Sequence, residues 1–285
     1  MPLQFTKMHG LGNDFVIVSL FDQVVDKPAE LARLINDRRR GIGADGLILM
    51  APATAADSDV RMEVYNADGS RAGMCGNGLR CAARWAYENG HVQNNPMRIN
   101  TDAGVLTAEL RFDANDNIQA VRTDLGAPIL SPQKIPVALS GERVVGVMVP
   151  LPEAMLQVTC VSLGNPHAVF FEHLDDVPLA QWGPLIERHP LFPERTNVHF
   201  VQVLDRTHVC ILHWERGCGA TQACGTGAGA TCVAGVLNNL TDRAITAEMP
   251  GGALQLEWEE SSDHVFQTGP AEEVFTGQLS GGFAR

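Results

Sequence analysis

The sequence predicts an α/β fold of the α+β type, made of two pseudo-symmetric lobes from an internal duplication. Each lobe is expected to be a mixed, largely antiparallel sheet wrapped around a central helix. Three observations predict this. The first is a repeat. "GLGNDFVIV" (Gly10–Val18) resembles "SLGNPHAVF" (Ser162–Phe170), and Asp45 of "GADGLI" answers to Asn197 of "RTNVHF". Both pairings have an offset of 152 (165 − 13 and 197 − 45). Tyr65-Asn66 answers to Trp214-Glu215, and Cys75 to Cys224, both at 149 (214 − 65 and 224 − 75). Landmarks recurring in one order at nearly one spacing are the mark of duplication. The second is a set of short, β-branched, partly alternating runs. The third is a pair of glycine-rich helices, each opened by a cysteine.

In chain order, "DFVIVSL", "GLILM" and "VRMEVYN" read as strands of the first lobe, and "AVFF", "VHFVQVL" and "HVCILHW" as strands of the second. "AELARLINDRRR" has apolar residues at helical spacing. "GLRCAARWAYENG" joins strong helix formers to an Asn-Gly stop. "TGAGATCVAGVLNNL" has small and apolar residues on all sides, as expected of a helix enclosed by sheet rather than laid on a surface. "TDLGAPILSPQKIP" (Thr123–Pro136) is rich in Pro and Gly and reads as the linker. The expected lobes are therefore 1–122 plus about 270–285, carrying Cys75, and 123–269, carrying Cys224.

Composition narrows the function. The chain has 285 residues, a formal net charge of −12 and 45% hydrophobic residues. That balance fits a globular protein and disfavours nucleic acid or an anionic membrane as partner. No apolar run is long enough for a membrane-spanning helix. The N-terminus lacks the basic and apolar regions of a secretion signal. Seven cysteines make an odd number and argue against a disulfide framework, so reduced thiols in the cytoplasm are expected. "GIGADG" (Gly41–Gly46) matches a dinucleotide-binding fingerprint literally. That fingerprint needs a strand before it and a helix after it, and here the order is reversed. A sharp helix-to-strand turn is the better reading.

The chemistry is concentrated in "MCGNGLRC" (Met74–Cys81) and "ACGTGAGATC" (Ala223–Cys232). A helix start presents unpaired N–H groups and a partial positive charge. It lowers the pKa of a cysteine placed there, and it binds anions such as a substrate carboxylate. Gly76 and Gly225 remove side chains that would block the approach, and Asn77 and Thr226 follow with further N–H groups. Four roles compete for Cys75 and Cys224: buried packing, a metal site, a redox dithiol, and paired acid–base catalysis. A metal site built from Cys75, Cys81, Cys218 and Cys224 lacks the ligand spacing of a structural zinc finger, and no metal is expected. Packing and redox roles give no reason for the duplication. Paired catalysis does, because inverting a carbon by proton transfer needs a base on one face and an acid on the other. Pyridoxal phosphate, the usual aid for such a step, needs a Schiff-base lysine. Lys7, Lys27 and Lys134 are the chain's lysines, and none has a phosphate-binding glycine loop beside it. A reaction without cofactor follows.

The segments "FTKMHGLGNDF", "RRRGIGADGLIL", "YNADGSRAGMCGNGLRC", "SLGNPHAV", "RTNVHFV", "WERGCGATQACGTG" and "GPAEEVFTG" together resemble the diaminopimelate epimerases along the whole chain. The resemblance implies an isomerase that interconverts LL- and meso-2,6-diaminopimelate by two-base thiolate/thiol transfer, in lysine and peptidoglycan-precursor biosynthesis. It implies Cys75 and Cys224 as the acid/base pair. Gly76, Asn77, Gly225 and Thr226 would hold the reacting carboxylate. Asn13, Asn66, Asn165 and Asn197 would contact substrate, with Glu215 on an ammonium and Arg216 on the distal carboxylate. His167 and Glu215 would adjust the thiols. It also implies a homodimer, with Phe275 at the interface. Two departures stand out: Gly46 where some members carry a substrate-contacting glutamine, and Phe275 where some carry an interface tyrosine. Two other readings stay open at this point: a proline or hydroxyproline racemase-type enzyme, and a non-catalytic thiol-redox or amino-acid-binding protein. His9, His91, His173, His189, His208 and His264 are given no functional role.

Overall fold

The computed structural model describes residues 2–280. The fold is a mixed α+β one, dominated by sheet and carrying few helices. The chain divides into two compact units, Met1–Thr123 with Thr268–Arg285, and Asp124–Gln267.

The first unit runs β1 (Leu3–Gly10), β2 (Asn13–Ser19), α1 (Pro28–Ile35), β3 (Gly46–Pro52), β4 (Val60–Asn66), β5 (Arg71–Ala72), α2 (Gly76–Glu88), β6 (Met97–Thr101), β7 (Gly104–Phe112) and β8 (Ile118–Asp124). β1 and β2 are antiparallel, β2 and β3 parallel, β3 and β4 antiparallel. β4 carries the two-residue stub β5 and lies parallel to β6, which is antiparallel to β7. Alternation along β2 and β3 explains how one sheet serves two helices. Phe15, Ile17, Ile48 and Met50 join the core with Leu79, Ala82 and Trp85 of α2. Val16, Val18, Leu47 and Leu49 join Leu31 and Ile35 of α1 on the other face.

The second unit runs β9 (Val147–Pro150), β10 (Met155–Ser162), β11 (Pro166–Phe171), α3 (Leu179–Glu187), β12 (Asn197–Asp205), β13 (His208–Glu215), β14 (Gly219–Thr221), α4 (Gly225–Leu237), β15 (Ala244–Met249), β16 (Gly252–Trp258) and β17 (Val265–Gly269). The final strand, β18 (Glu272–Leu279), returns to the first unit and pairs antiparallel with β1. Pairing in the second unit repeats the first step by step. β10 and β11 are antiparallel, β11 and β12 parallel, β12 and β13 antiparallel. β13 carries the stub β14 and lies parallel to β15, which is antiparallel to β16. α4 is buried from Gly225 to Gly235 and packs against β10, β11, β12, β15 and β16, so sheet encloses it. The helix made of small residues fits there because a wide side chain on any face would meet a strand.

One helix is shorter than its periodicity predicts. α1 ends at Ile35, and Arg38–Arg40 form a turn instead of a last helical turn. The Asp37 carboxylate accepts from the N–H groups of Arg39 and Arg40, a local bond that competes with the helix. Gly43 then takes φ +77°, and a Cβ on Gly41 would overlap the Leu34 and Ile35 carbonyls. "GIGADG" is thus the helix-to-strand turn that leads into β3.

Candidate functional site

Cys75 is the residue before α2, with extended backbone (φ −142°, ψ 117°), and Cys224 stands in the same place before α4 (φ −130°, ψ 105°). Both helices have thirteen residues and begin with glycine. Each ends on an asparagine, Asn89 or Asn238, whose side-chain amide bonds back to the carbonyl four residues earlier. The stubs β5 and β14 deliver the chain to these helix starts.

In the first unit, Cys75 Sγ lies 3.8 Å from Asn13 Oδ1. The Asn77 amide donates to that same oxygen at 3.1 Å. Asn13 donates its own amide to Asp45 Oδ2 at 2.8 Å, which fixes which end of the amide faces the thiol. Asp45 in turn receives Arg38 Nη2 at 2.8 Å. Arg38 also bonds Asp14, which pairs with Lys7 Nζ at 2.9 Å. Burial alone would raise the Asp14 carboxyl. Hydrogen bonds from Arg38 and Lys7 overcome it and bring the pKa down to about 2. Behind the helix start, Arg80 is fully buried. Its guanidinium donates to Asn77 Oδ1 at 2.9 Å and to the Pro270 carbonyl at 3.1 Å. Burial lowers the Arg80 pKa against the opposing influence of Cys81 and Cys75.

Asn66, at the end of β4, donates to Ser70 Oγ at 2.9 Å and is exposed. Gly46 faces Asn66 across β3 and β4. A Cβ at Gly46 would stand 3.0 Å from the Tyr65 carbonyl and 3.3 Å from the Phe15 ring, so a glutamine would need those neighbours to move.

In the second unit, Cys224 is buried. Burial first, and the nearby Glu215 carboxylate second, hold its thiol well above the usual range, against the N–H of Gly227 and the hydroxyl of Thr226. Thr226 Oγ1 lies 3.8 Å from the sulfur and accepts from the Asn165 amide at 3.3 Å. Asn165 Oδ1 is 2.9 Å from His167 Nε2. Asn197 bridges two backbone groups, donating to the Pro166 carbonyl at 2.9 Å and accepting from Arg216 N–H at 3.0 Å. Glu215 accepts from Thr221 Oγ1 at 2.6 Å. The Arg216 guanidinium donates to the Glu194 carbonyl at 3.1 Å. Gly225 leaves room for Gln267, whose buried amide stands where a Cβ would be.

Sequence reasoning missed several residues. Asp45 was visible as the repeat partner of Asn197, but not as the acceptor that orients Asn13. Arg80 lies inside "GLRC", where nothing in the spacing marks it as a buried partner of Asn77. His199 and His213 lie beside His167 in the second unit, at inward positions of adjacent strands.

Among the described residues, no cluster of three His, Cys, Asp or Glu side chains is arranged to hold a metal ion. No helix among them is long and apolar enough to cross a membrane.

Comparison with known proteins bears on this arrangement. The family model described as diaminopimelate epimerase matches residues 5–130 and 159–274. The chain is 45% identical to the diaminopimelate epimerase of Acetivibrio thermocellus, across 97% of this chain and 98% of that one. It is 48% identical to that of Desulforudis audaxviator, across 97% and 99%, and 42% identical to that of Methanococcus maripaludis, also across 97% and 99%. Among solved structures it resembles a probable proline racemase from Agrobacterium radiobacter, with a TM-score of 0.70 and 16% identity, covering 98% of this chain and 93% of that one. It also resembles a PhzF-family phenazine biosynthesis protein from Bacillus anthracis, with a TM-score of 0.69 and 14% identity, covering 98% and 99%. At such low identity these two structures speak for the fold alone.

Proposed function

The chain belongs to the diaminopimelate epimerase family, and we infer that it interconverts LL- and meso-2,6-diaminopimelate by moving an α-proton between the thiols of Cys75 and Cys224. One observation carries the reading. Two units of identical strand pairing each place a cysteine immediately before a thirteen-residue, glycine-initiated helix. A reaction that needs a base and an acid whose roles swap with direction is served by two such devices. Cys75 takes or gives the proton on one face of the carbon, and Cys224 on the other. One is thiolate while the other is thiol, so the pair titrates as a unit.

The reacting carboxylate is held by the N–H groups of Gly76-Asn77 and Gly225-Thr226. There the helix partial charge offsets the negative charge that builds up as the α-proton leaves. Asn13 and Asn165 stand beside the two helix starts, and amides suit a substrate that carries both carboxylates and ammonium groups. Asn66 and Asn197 complete the asparagine set. Arg216 takes the distal carboxylate as a bidentate partner, and Glu215 takes an ammonium. His167 and Glu215 set the environment of Cys224. The enzyme works in the cytoplasm, in lysine and peptidoglycan-precursor biosynthesis, on a small molecule and without an added cofactor. It acts as a homodimer through the face that carries Phe275.

The test is incubation of LL-diaminopimelate in deuterated water with no added cofactor. Deuterium is expected at one α-carbon of the meso product. Cys75→Ala and Cys224→Ala are each expected to lose at least about a thousandfold in kcat, the scale of losing a proton-transfer group. Full activity in either variant would overturn the reading.

A further inference from the structure

Three histidines stand in a row inside the second unit, on the adjacent strands β11, β12 and β13. His167, His199 and His213 are completely buried. His199 faces His213 directly across the antiparallel pair, with 2.8 Å between their Nδ1 atoms. His199 Nε2 lies 2.8 Å from His167 Nδ1. The row continues through His167 Nε2 to Asn165 Oδ1, through the Asn165 amide to Thr226 Oγ1, and from Thr226 to Cys224 Sγ. Burial keeps all three imidazoles neutral, with His167 and His213 pushed down to about 3 and His199 also well below its usual range.

Neutrality makes the row directional, because each ring then has one donor and one acceptor nitrogen. Asn165 Oδ1 only accepts, so His167 Nε2 carries a hydrogen and its Nδ1 accepts. His199 must then donate from Nε2 and accept at Nδ1, which leaves Nδ1 of His213 as the donor. Every hydrogen points toward Cys224. The reverse order needs the Asn165 amide turned over and strands an N–H at His213 Nε2, a buried atom with no partner among the described residues. Orphaned buried donors are the rarer and costlier defect, so the forward order holds. Gly227 seats the middle ring, since a Cβ there would overlap the His199 imidazole.

We propose that His213, His199 and His167 form a one-way hydrogen-bond relay that turns the Thr226 hydroxyl hydrogen onto the Cys224 sulfur and thereby favours its thiolate. This rests on the reading of Cys224 as a proton-transfer group. His199 and His213 are positioning residues. No proton travels the row; each donor keeps its hydrogen and polarises the next. The relay works with the Gly227 N–H and against Glu215 and burial, the influences that keep Cys224 protonated. Arg216 is the charged group that acts on His167.

The test begins with the unmodified full-length protein labelled with ¹⁵N-histidine. Long-range ¹H–¹⁵N spectra at neutral pH should show Nε2–H tautomers for His167 and His199 and an Nδ1–H tautomer for His213. The opposite three tautomers would overturn the proposal. The second measurement is the rate at which iodoacetamide modifies Cys224 in a Cys75→Ala background, followed on the Cys224 peptide by mass spectrometry. His213→Leu removes the first donor and should slow modification about tenfold, the size of one pKa unit. His213→Asn presents an amide hydrogen where Nδ1 was and should stay within about twofold of His213. Equal rates in all three, or equal losses in both variants, would overturn the relay. If His213→Leu does not fold, the tautomers still decide. Neither readout uses substrate, so failure of the relay is distinguishable from failure of the epimerase reading, which the deuterium experiment tests.

Discussion

Asp45 Oδ2 accepts the side-chain amide of Asn13 at 2.8 Å, and this bond, together with the Asn77 amide that donates to Asn13 Oδ1, turns the oxygen of Asn13, not its nitrogen, toward Cys75. Asp45→Ala removes one of the two bonds that hold the amide and leaves only the Asn77 donor to orient it. The expected result is about a tenfold loss in kcat/KM, or about 1.4 kcal/mol of transition-state stabilisation. The melting temperature should change little, because the Asp45 side chain is substantially exposed. Steady-state kinetics with a thermal melt checks this.

Gly227 is the floor on which the His199 ring rests. Gly227→Ala is expected to destabilise by about 1–3 kcal/mol, the ordinary scale of overpacking. Gly73→Ala is the control, since a Cβ there meets nothing within 4 Å. Denaturant unfolding of the two variants side by side reads the difference.

The buried histidines set a pH window. Their folded pKa values lie far below 6.5 because burial opposes the charged form, whereas an unfolded chain protonates near 6.5. Their stabilising contribution is complete above about pH 6.5 and declines as the pH falls toward about 3. At pH 5.5 the solution is one pH unit below the unfolded imidazole value of about 6.5, a loss of about 1.4 kcal/mol per histidine at most. Urea midpoints at pH 7.5 and 5.5 should show the decline, and His213→Leu should remove part of it.

Arg80 is a fully buried cation that no carboxylate pairs with among the described residues. Arg80→Met removes the partner of Asn77 Oδ1 and the positive charge behind Cys75. Iodoacetamide should then modify Cys75 about tenfold more slowly at neutral pH, as expected when an opposite charge is withdrawn from a thiolate. The fold should survive, because Met keeps much of the apolar stem and removes a buried charge whose desolvation is costly.

On the proposed dimer face, Val274 is 52% and Phe275 44% exposed, with Phe275 set edge-on to Phe5. Phe275→Glu should shift the protein from dimer to monomer in sedimentation velocity, and Phe275→Tyr should not.

Much of this architecture was legible because it is local. The glycine-opened helices and the Asn-Gly stop of α2 depend on neighbours within a few residues, and each landmark of the repeat is a short local string. The turn at Gly41–Gly46 was legible from element order alone. What escaped was assembled across strands. His199 and His213 lie 14 residues apart in sequence, and nothing in the spacing says that the register of β12 and β13 sets them opposite each other. Asp45 meets Asn13 across the parallel pair β2 and β3, and Arg80 reaches Pro270, which lies 190 residues later. The α1 periodicity ran on past Ile35 because it ignored the competing bonds of Asp37.

The residue before a helix is where Ser, Thr, Asp or Asn commonly adds about 1 kcal/mol through a side-chain oxygen. This protein places cysteine there twice. A directed-evolution campaign scored on melting temperature alone would therefore be drawn to Cys75→Asp and Cys224→Asp, and would arrive at a sturdier, inert protein. By the same reasoning a bound carboxylate acts as the missing cap, so a tight dicarboxylate analogue should raise the melting temperature of the native chain more than that of the doubly substituted one.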